Sequence, residues 1–403
     1  MLDRLISVDA ARFAADYWGR RALLSRAAEL PGGTAFEDLL DSGAIDELVS
    51  SHGLRTPFLR VAKAGSTLAE KTFTAPGGVG AGIADQVSDD RLTRLFADGS
   101  TLVLQALHRT WPPVLAFCQA LAAELGHPVQ ANAYITPPQN QGFSDHYDVH
   151  DVFVLQIEGE KRWSIHEPVL DAPLRDQPWT DRRAAVERRA AEPAVIEAVL
   201  RPGDCLYLPR GFLHAAQALG GISTHLTIGV HVWTGFALAE RMVQQAIRTV
   251  AGDADVRASL PLGVEFVDEA IAGDVEAVRR ALVAALERVD SGALTAELRR
   301  AGRGTSRAAP IGPLAQFRAA ERLDETVVVQ VREHLAAGVE RRADGRAVLR
   351  GRADDLVLTD DEAAAVEAWL VRDAMPAGEL GIALARRLVL AGVAVVAGDD
   401  AAG

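Results

Sequence analysis

Residues 132–163 read Asn132-Ala-Tyr-Ile-Thr-Pro-Pro-Gln-Asn-Gln-Gly-Phe-Ser-Asp-His-Tyr-Asp-Val-His-Asp-Val-Phe-Val-Leu-Gln-Ile-Glu-Gly-Glu-Lys-Arg-Trp163. Within them, His146-Tyr147-Asp148 is a His-x-Asp pair. In extended backbone residues i and i+2 point to the same side, so an imidazole and a carboxylate can converge on one point. Two histidines and one carboxylate on one face, with the opposite face open, form the donor set of a mononuclear non-haem iron centre. His214 is the best candidate for the third ligand. It follows the strand-like run Asp204-Cys-Leu-Tyr-Leu-Pro209 and the turn residues Arg210-Gly211. A His-x-Asp alone is a common chance pattern, so its meaning rests on its surroundings.

Those surroundings alternate. Asn132 and Tyr134 share one face of a short strand whose other face is Ala131, Ala133 and Ile135. Asp151 to Ile157 reads as an apolar strand, and Glu158-Gly159-Glu160 reads as a turn into a second strand, Lys161 to Ile165. In His225-Leu-Thr-Ile-Gly-Val-His-Val232, Leu226, Ile228, Val230 and Val232 form an apolar face, with His225, Thr227 and His231 opposite. Several strands with one polar face describe a small barrel lined for a polar ligand.

In these motifs the chain resembles the JmjC-type 2-oxoglutarate oxygenases of the cupin superfamily, and most closely their ribosomal oxygenase branch. The resemblance is carried by Asn132-Ala-Tyr-x-Thr-Pro137, Gln141-Gly142-Phe143, His146-x-Asp148, Asp151-Val-Phe153, Leu155-Gln156, Gly159-Glu-Lys-Arg-Trp163, Pro209-Arg-Gly-Phe-Leu-His214 and Ser223-Thr-His-Leu-Thr227. It is close over roughly the first 235 residues and looser beyond them. It implies an α+β protein with a double-stranded β-helix (cupin/JmjC) barrel in residues 1–235, a helical dimerisation region in 236–303 and a winged-helix-like domain in 304–403. It implies that His146, Asp148 and His214 bind Fe(II), and that Lys161 pairs with the distal carboxylate of 2-oxoglutarate, helped by Asn132, Tyr134 and Thr227. Dioxygen is then the second co-substrate. Lys161 stands where bacterial members that hydroxylate a ribosomal-protein arginine generally carry arginine, and where histidine-hydroxylating members carry lysine. Gly229 occupies a position where some relatives have a hydroxyl residue.

Composition gives Lys161 independent interest. Of 42 basic residues only Lys63, Lys71 and Lys161 are lysines. In a chain whose default cation is arginine, a lysine at a barrel-lining position suggests a need for a compact ammonium. The plain alternative is a solvated hairpin residue.

The 403 residues suggest two or three domains, and 49% hydrophobic with 24% charged residues places the chain among globular proteins. No apolar run is long enough to span a bilayer, and Met1-Leu-Asp-Arg-Leu-Ile6 lacks the features of a signal peptide. Cys118 and Cys205 both sit in apolar runs and read as buried reduced thiols, so the expectation is a cytoplasmic protein. A net charge of −13 argues against a nucleic-acid binder and is compatible with a basic protein partner. Pro112-Pro113 should open a helix through Leu125, stopped by Gly126. The acidic and arginine-rich insert Asp171 to Ala198 reads as a solvated face.

After Trp233 the pattern turns helical, over Phe236 to Val250 and Val264 to Val289. The resemblance makes this region a homodimer interface; the alternative is a cap on the chain's own barrel. Near the C-terminus Thr359 and Glu362 form a capping-box pattern before the helix Asp360 to Arg372. A second helix, Glu379 to Leu390, and a strand, Val393 to Val396, complete a winged-helix-like order. Arg386 and Arg387 would lie on its recognition helix. Yet Pro310 to Gly403 holds 11 Arg, no Lys and 16 Asp or Glu, so direct DNA binding is not expected.

The leading functional expectation is an Fe(II)- and 2-oxoglutarate-dependent hydroxylase of a protein or peptide side chain, with a ribosomal-protein histidine or arginine as the candidate target. The alternatives are a cupin metalloenzyme acting on a small molecule or biosynthetic peptide, which would not need Lys161 with Asn132, Tyr134 and Thr227, and a metal-dead binding module. No serine carries a nucleophile-elbow pattern.

Overall fold

The computed structural model describes residues 1–31, 36–63, 65–138, 140, 144–263, 268–305, 307–342, 344–350 and 355–398. Gln141, Gly142 and Phe143, and the start of the helix expected from Val264, lie outside them. The chain divides into two units, Met1–Val232 and Trp233–Gly403.

The first unit is organised on nine strands: β1 (Leu23–Ser25), β2 (Leu59–Lys63), β3 (Ser66–Thr67), β4 (Thr101–Leu104), β5 (Val129–Thr136), β6 (Asp151–His166), β7 (Ile196–Leu200), β8 (Cys205–Leu208) and β9 (Leu213–Val230). They pair antiparallel in the order β1-β8-β6-β9-β5-β4-β2-β3, with β7 against β6. β9 joins the two sides. Its Ser223–Val230 half pairs with all of β5, placing His225 opposite Tyr134 and Thr227 opposite Asn132.

One face of β5, β6 and β9 is aliphatic and aromatic, as the alternation requires. Ala131, Ala133 and Ile135, Phe153, Leu155 and Ile157, and Leu226, Ile228 and Val230 are all buried in one core. They pack with Leu5, Phe13, Phe36 and Leu48 from the N-terminal segment and with Val114, Phe117 and Leu121 of the helix Pro112–Leu125. That helix starts at the Pro-Pro pair, where the missing N–H groups cost nothing. It ends at Gly126, whose φ of 69° suits a left-handed cap. The opposite faces of the strands carry the polar residues.

The turn expected at Glu158-Gly159-Glu160 does not form. The chain continues through Gly159 as one 16-residue strand, β6, which follows β9 along both halves of that strand. Glu160–His166 pairs with Leu213–Leu219, and Asp151–Glu158 pairs with Thr224–Val230 across a register shift. Gly159 sits at φ +65°, and a Cβ there would lie 2.1 Å from the Ile222 carbonyl oxygen. The local turn signal therefore marks a bend with a close backbone approach, and long-range pairing overrides reversal. Lys161 is thus inside a long strand rather than on a hairpin.

The insert also departs from a purely solvated face. Its helix Arg183–Ala190 buries Val186, which with half-buried Trp179 packs on Tyr147 and Leu213.

In the second unit, Gly235–Val250, Asp268–Glu287 and Ser291–Thr305 are helices. Beyond them, Val328–Val331 lies between Ala374–Pro376 and Ala394–Val396 in one three-stranded sheet. Gly338–Arg341, Ala347–Arg350 and Leu356–Leu358 form a second. Their core surrounds Trp369, whose indole N–H donates to the Val329 carbonyl at 3.0 Å. Thr359 and Glu362 make the capping box of helix Asp360–Arg372. The single helix expected over 379–390 is broken at Gly381, φ 83°, into Ala377–Leu380 and Ile382–Leu390. No described helix is long and apolar enough to cross a membrane.

Candidate metal centre

The pair His146/Asp148 sits in the segment leading into β6 rather than within a strand, and His146 forms an isolated antiparallel bridge with His214. The backbone bonds His214 N–H to His146 O (2.8 Å) and His146 N–H to His214 O (3.3 Å) hold the two segments side by side. Gly211 N–H adds a bond to the Asp148 carbonyl at 3.0 Å. Gly211 is at φ +94°, and a Cβ there would lie 2.7 Å from the Leu170 carbonyl oxygen, so only glycine makes this tie without strain. Asp151, fully buried, accepts from the Tyr207 hydroxyl (2.6 Å) and from Arg210, which fixes the loop before His214. Tyr147, between the two candidate ligands, turns the other way. It is 1% exposed and donates to the Gln177 carbonyl at 2.9 Å.

As a result, ligand atoms of His146, Asp148 and His214 all lie within 4.8 Å of one another. The imidazole centroids are 4.4 Å apart, and His214 Nε2 is 3.9 Å from Asp148 Oδ2. His146 Nδ1 lies 2.7 Å from Ser144 O and His214 Nδ1 3.1 Å from Phe212 O. A carbonyl only accepts, so each Nδ1 carries its proton and Nε2 is the basic nitrogen, the tautomer a metal ligand needs. Burial, reinforced by His146, pushes the His214 imidazole down to about 4, so it is neutral at physiological pH. Burial pushes the Asp148 carboxyl up, but His150, His214, His146 and Arg60 together outweigh it and hold it below the ordinary carboxylate range. The donor set is two imidazoles and one carboxylate, which fits a divalent transition metal.

The same cavity holds Lys161, Tyr134, His225 and Thr227, walled by Val152, Val154 and Trp163. Lys161 is 3% exposed, which excludes the solvated alternative. Its Nζ donates to Thr136 Oγ1 at 3.2 Å and lies 3.3 Å from His225 Nδ1. Among the described residues it forms no ion pair with a carboxylate. Burial alone pushes this ammonium down to about 7. Burial, then Lys161 and His214, push His225 well below its usual value, leaving it a neutral acceptor for Lys161. Tyr134 stacks on His225 with centroids 4.9 Å apart and planes at 2°. Burial and Asp148 raise its phenol to about 12.

Of the seven residues expected from sequence, six line this cavity. Asn132 is placed otherwise: its Oδ1 accepts from the Ala106 N–H at 3.0 Å, and it lines an adjoining cleft that also includes Tyr134, Asp148 and Thr227. Thr136 was not anticipated as a partner of Lys161, although it continues the i, i+2, i+4 face of Asn132 and Tyr134. Asp151 and Tyr147 likewise act by positioning, a role that appears only once the strands are paired.

Residues 109–238 match the model of the JmjC domain. The chain is 35% identical over 180 residues to ribosomal oxygenase 1 of Rattus norvegicus, covering 43% of this chain and 29% of that protein. It is 36% identical over 139 residues to the bifunctional lysine-specific demethylase and histidyl-hydroxylase NO66 of Drosophila persimilis, 34% of this chain and 19% of that protein. The matched segment spans less than a third of these relatives' length. Among solved structures, the Escherichia coli ribosomal oxygenase YcfD aligns with a TM-score of 0.55 at 15% identity, covering 97% of this chain and 99% of that one. A structure of YcfD in complex with cobalt and 2-oxoglutarate aligns with a TM-score of 0.53 at 16% identity, covering 98% of this chain and 99% of that one. At this identity the likeness establishes fold: a mixed α+β protein of the JmjC/cupin type.

Proposed function

We propose that this chain, which carries a JmjC domain over residues 109–238, is an Fe(II)- and 2-oxoglutarate-dependent hydroxylase of a protein side chain, with a ribosomal-protein histidine or arginine as target. The observation that carries the reading is that a two-histidine, one-carboxylate cluster shares a cavity with a buried lysine that lacks a carboxylate partner among the described residues. In it, His146, Asp148 and His214 hold the metal on one side, and Lys161, with Thr136 beside it, receives the distal carboxylate of 2-oxoglutarate. Tyr134 and Thr227 border the same space, and Asn132 supports it from the adjoining cleft. When bound, iron supplies the activation of dioxygen, with 2-oxoglutarate oxidised to succinate and carbon dioxide and one oxygen atom ending as the new hydroxyl. The chain's own part is to fix the donor geometry, to place one positive charge at the far end of the cavity and to exclude water with Val152, Val154 and Trp163.

The outer parts of the molecule extend this reading. Exposed Phe236, Val243 and Ile247 on the helix Gly235–Val250 support a homodimer through residues 236–303. A winged-helix-like unit in 304–403 with a structural or protein-binding role is supported by its acidic balance. Arg386 there donates to the Ala320 carbonyl and Arg387 pairs with Glu362, so both are engaged internally. A basic ribosomal-protein partner suits the net charge of −13, and the free, buried Cys118 and Cys205 suit a cytoplasmic site of action.

The test is iron content and succinate release from the purified chain, with mass spectrometry of ribosomal proteins from parent and deletion strains. About one Fe(II) per chain is expected, lost together with turnover in His146→Ala and Asp148→Ala. Full turnover by the metal-depleted double variant would remove the assignment.

A further inference from the structure

The cleft that adjoins the metal cavity has a volume of about 410 Å³ and includes Tyr134, Asp148 and Thr227 from the triad side. Arg60, on β2, lines it from the other side. Its Nε is buried without a hydrogen-bond partner, and among the described residues the guanidinium makes no hydrogen bond and no ion pair. His150 lines the same cleft with Nδ1 buried and unpartnered, while its Nε2 lies 3.1 Å from the Gln130 amide nitrogen. With that amide donating to Nε2, Nδ1–H is a second unmet donor. Gly229 makes the arrangement possible, because a Cβ there would lie 2.9 Å from His150 Nε2.

Buried donors left unmet are costly, and a site that keeps them next to a metal ligand is prepared for an incoming acceptor. The distal carboxylate of 2-oxoglutarate has its own cation, Lys161, in the neighbouring cavity, which Arg60 does not line. Beyond the pull of their charge on Asp148, the unmet N–H groups of Arg60 and His150 are therefore left for the substrate. A guanidinium has five donors and no acceptor, so it could satisfy neither group, and it would set a second fixed positive charge beside Arg60.

We propose that this cleft seats the side chain to be hydroxylated and that Arg60 sets its class: a side chain that presents a hydrogen-bond acceptor and carries no positive charge, such as neutral histidine, an amide or a carboxylate, and not arginine. The inference rests on the hydroxylase reading and narrows its target.

Peptide libraries with a fixed central His, Asn, Asp or Arg and random flanks provide the test. The full chain is incubated with them, Fe(II), 2-oxoglutarate and air, reading the gain of one oxygen atom and, separately, succinate. The wild type should modify at least one acceptor-centred library about tenfold or more above the arginine library. Arg60→Glu should invert that preference and Arg60→Lys should keep it. If Arg60→Glu does not fold, Arg60→Gln, which removes the charge and supplies an amide oxygen acceptor, should shrink the discrimination against arginine. The proposal is overturned if the wild type modifies arginine as well as or better than the others, if Arg60 variants lower every library alike, or if succinate forms while no library is modified. Absence of both succinate and 2-oxoglutarate binding in the wild type tells instead against the hydroxylase reading, and the proposal falls with it.

Discussion

A lysine amine buried between a threonine hydroxyl and a neutral imidazole holds its proton weakly, and Lys161 is such an amine. A carboxylate pairs with the ammonium form, so co-substrate binding should draw a proton onto Nζ. Its apparent affinity is expected to fall as pH rises through about 7. Lys161→Arg, charged throughout, should flatten that dependence. Lys161→Ala leaves the incoming carboxylate without its main partner. Losing one side of a buried charged pair costs about 3–5 kcal/mol, a few hundredfold or more in the 2-oxoglutarate requirement. Succinate release against 2-oxoglutarate, with iron saturating, reads both effects, and an unchanged Lys161→Ala curve would remove the role. Without ligand the sign is different. The unfolded chain keeps the proton up to the ordinary value of 10.5 while the folded chain releases it near 7, so ligand-free stability should rise with pH across that window. At this scale the candidate ligands were legible in the sequence, because metal donors need particular residue types at short spacing. Arg60 was not legible. A lone arginine on a strand carries no signal until the cleft around it exists.

Elements position these residues, and two substitutions probe how. Gly159→Ala would drive a methyl group against the Ile222 carbonyl oxygen at a positive φ. The cost should be about 2 kcal/mol or more, seen as a lower denaturation midpoint. Tyr147 ties the ligand segment to the insert. Tyr147→Phe loses one hydrogen bond, about 1 kcal/mol, whereas Tyr147→Ala also opens a cavity beside Val186 and Leu213 and should cost about 3–5 kcal/mol. If the insert supports the site, Tyr147→Ala should also release iron faster to a chelator; unchanged retention would reduce the insert to a surface addition. The helix Pro112–Leu125 and the Thr359/Glu362 capping box could be read from sequence because caps act within a few residues. Glu158-Gly159-Glu160 misled for the converse reason: its role is decided by Ile222, far away in sequence.

For the molecule as a whole, the two units have separate cores, and Arg386 and Arg387 are engaged inside the second. Duplex DNA should therefore bind weakly and without sequence preference at physiological salt, and tight site-specific binding in a gel-shift titration would show that this unit has been misjudged. Within the first unit, β6 and β9 run side by side for nearly their whole length. His214 lies near one end of that pair, Lys161 near its middle, and Thr227 towards the other end. The part of the site that holds His214, Lys161 and Thr227 is thus spread over the ladder that also joins the two sides of the sheet. His146 and Asp148, by contrast, lie on the segment before β6, tied to that ladder by the bridge to His214 and the Gly211 bond. Amide protons of residues 152–157 and 225–230 should be among the last to exchange with deuterium. With His146 and Asp148 on the segment outside that ladder, escape of iron on heating should run ahead of this exchange, making metal loss an early alarm that sounds before the entire first unit lets go.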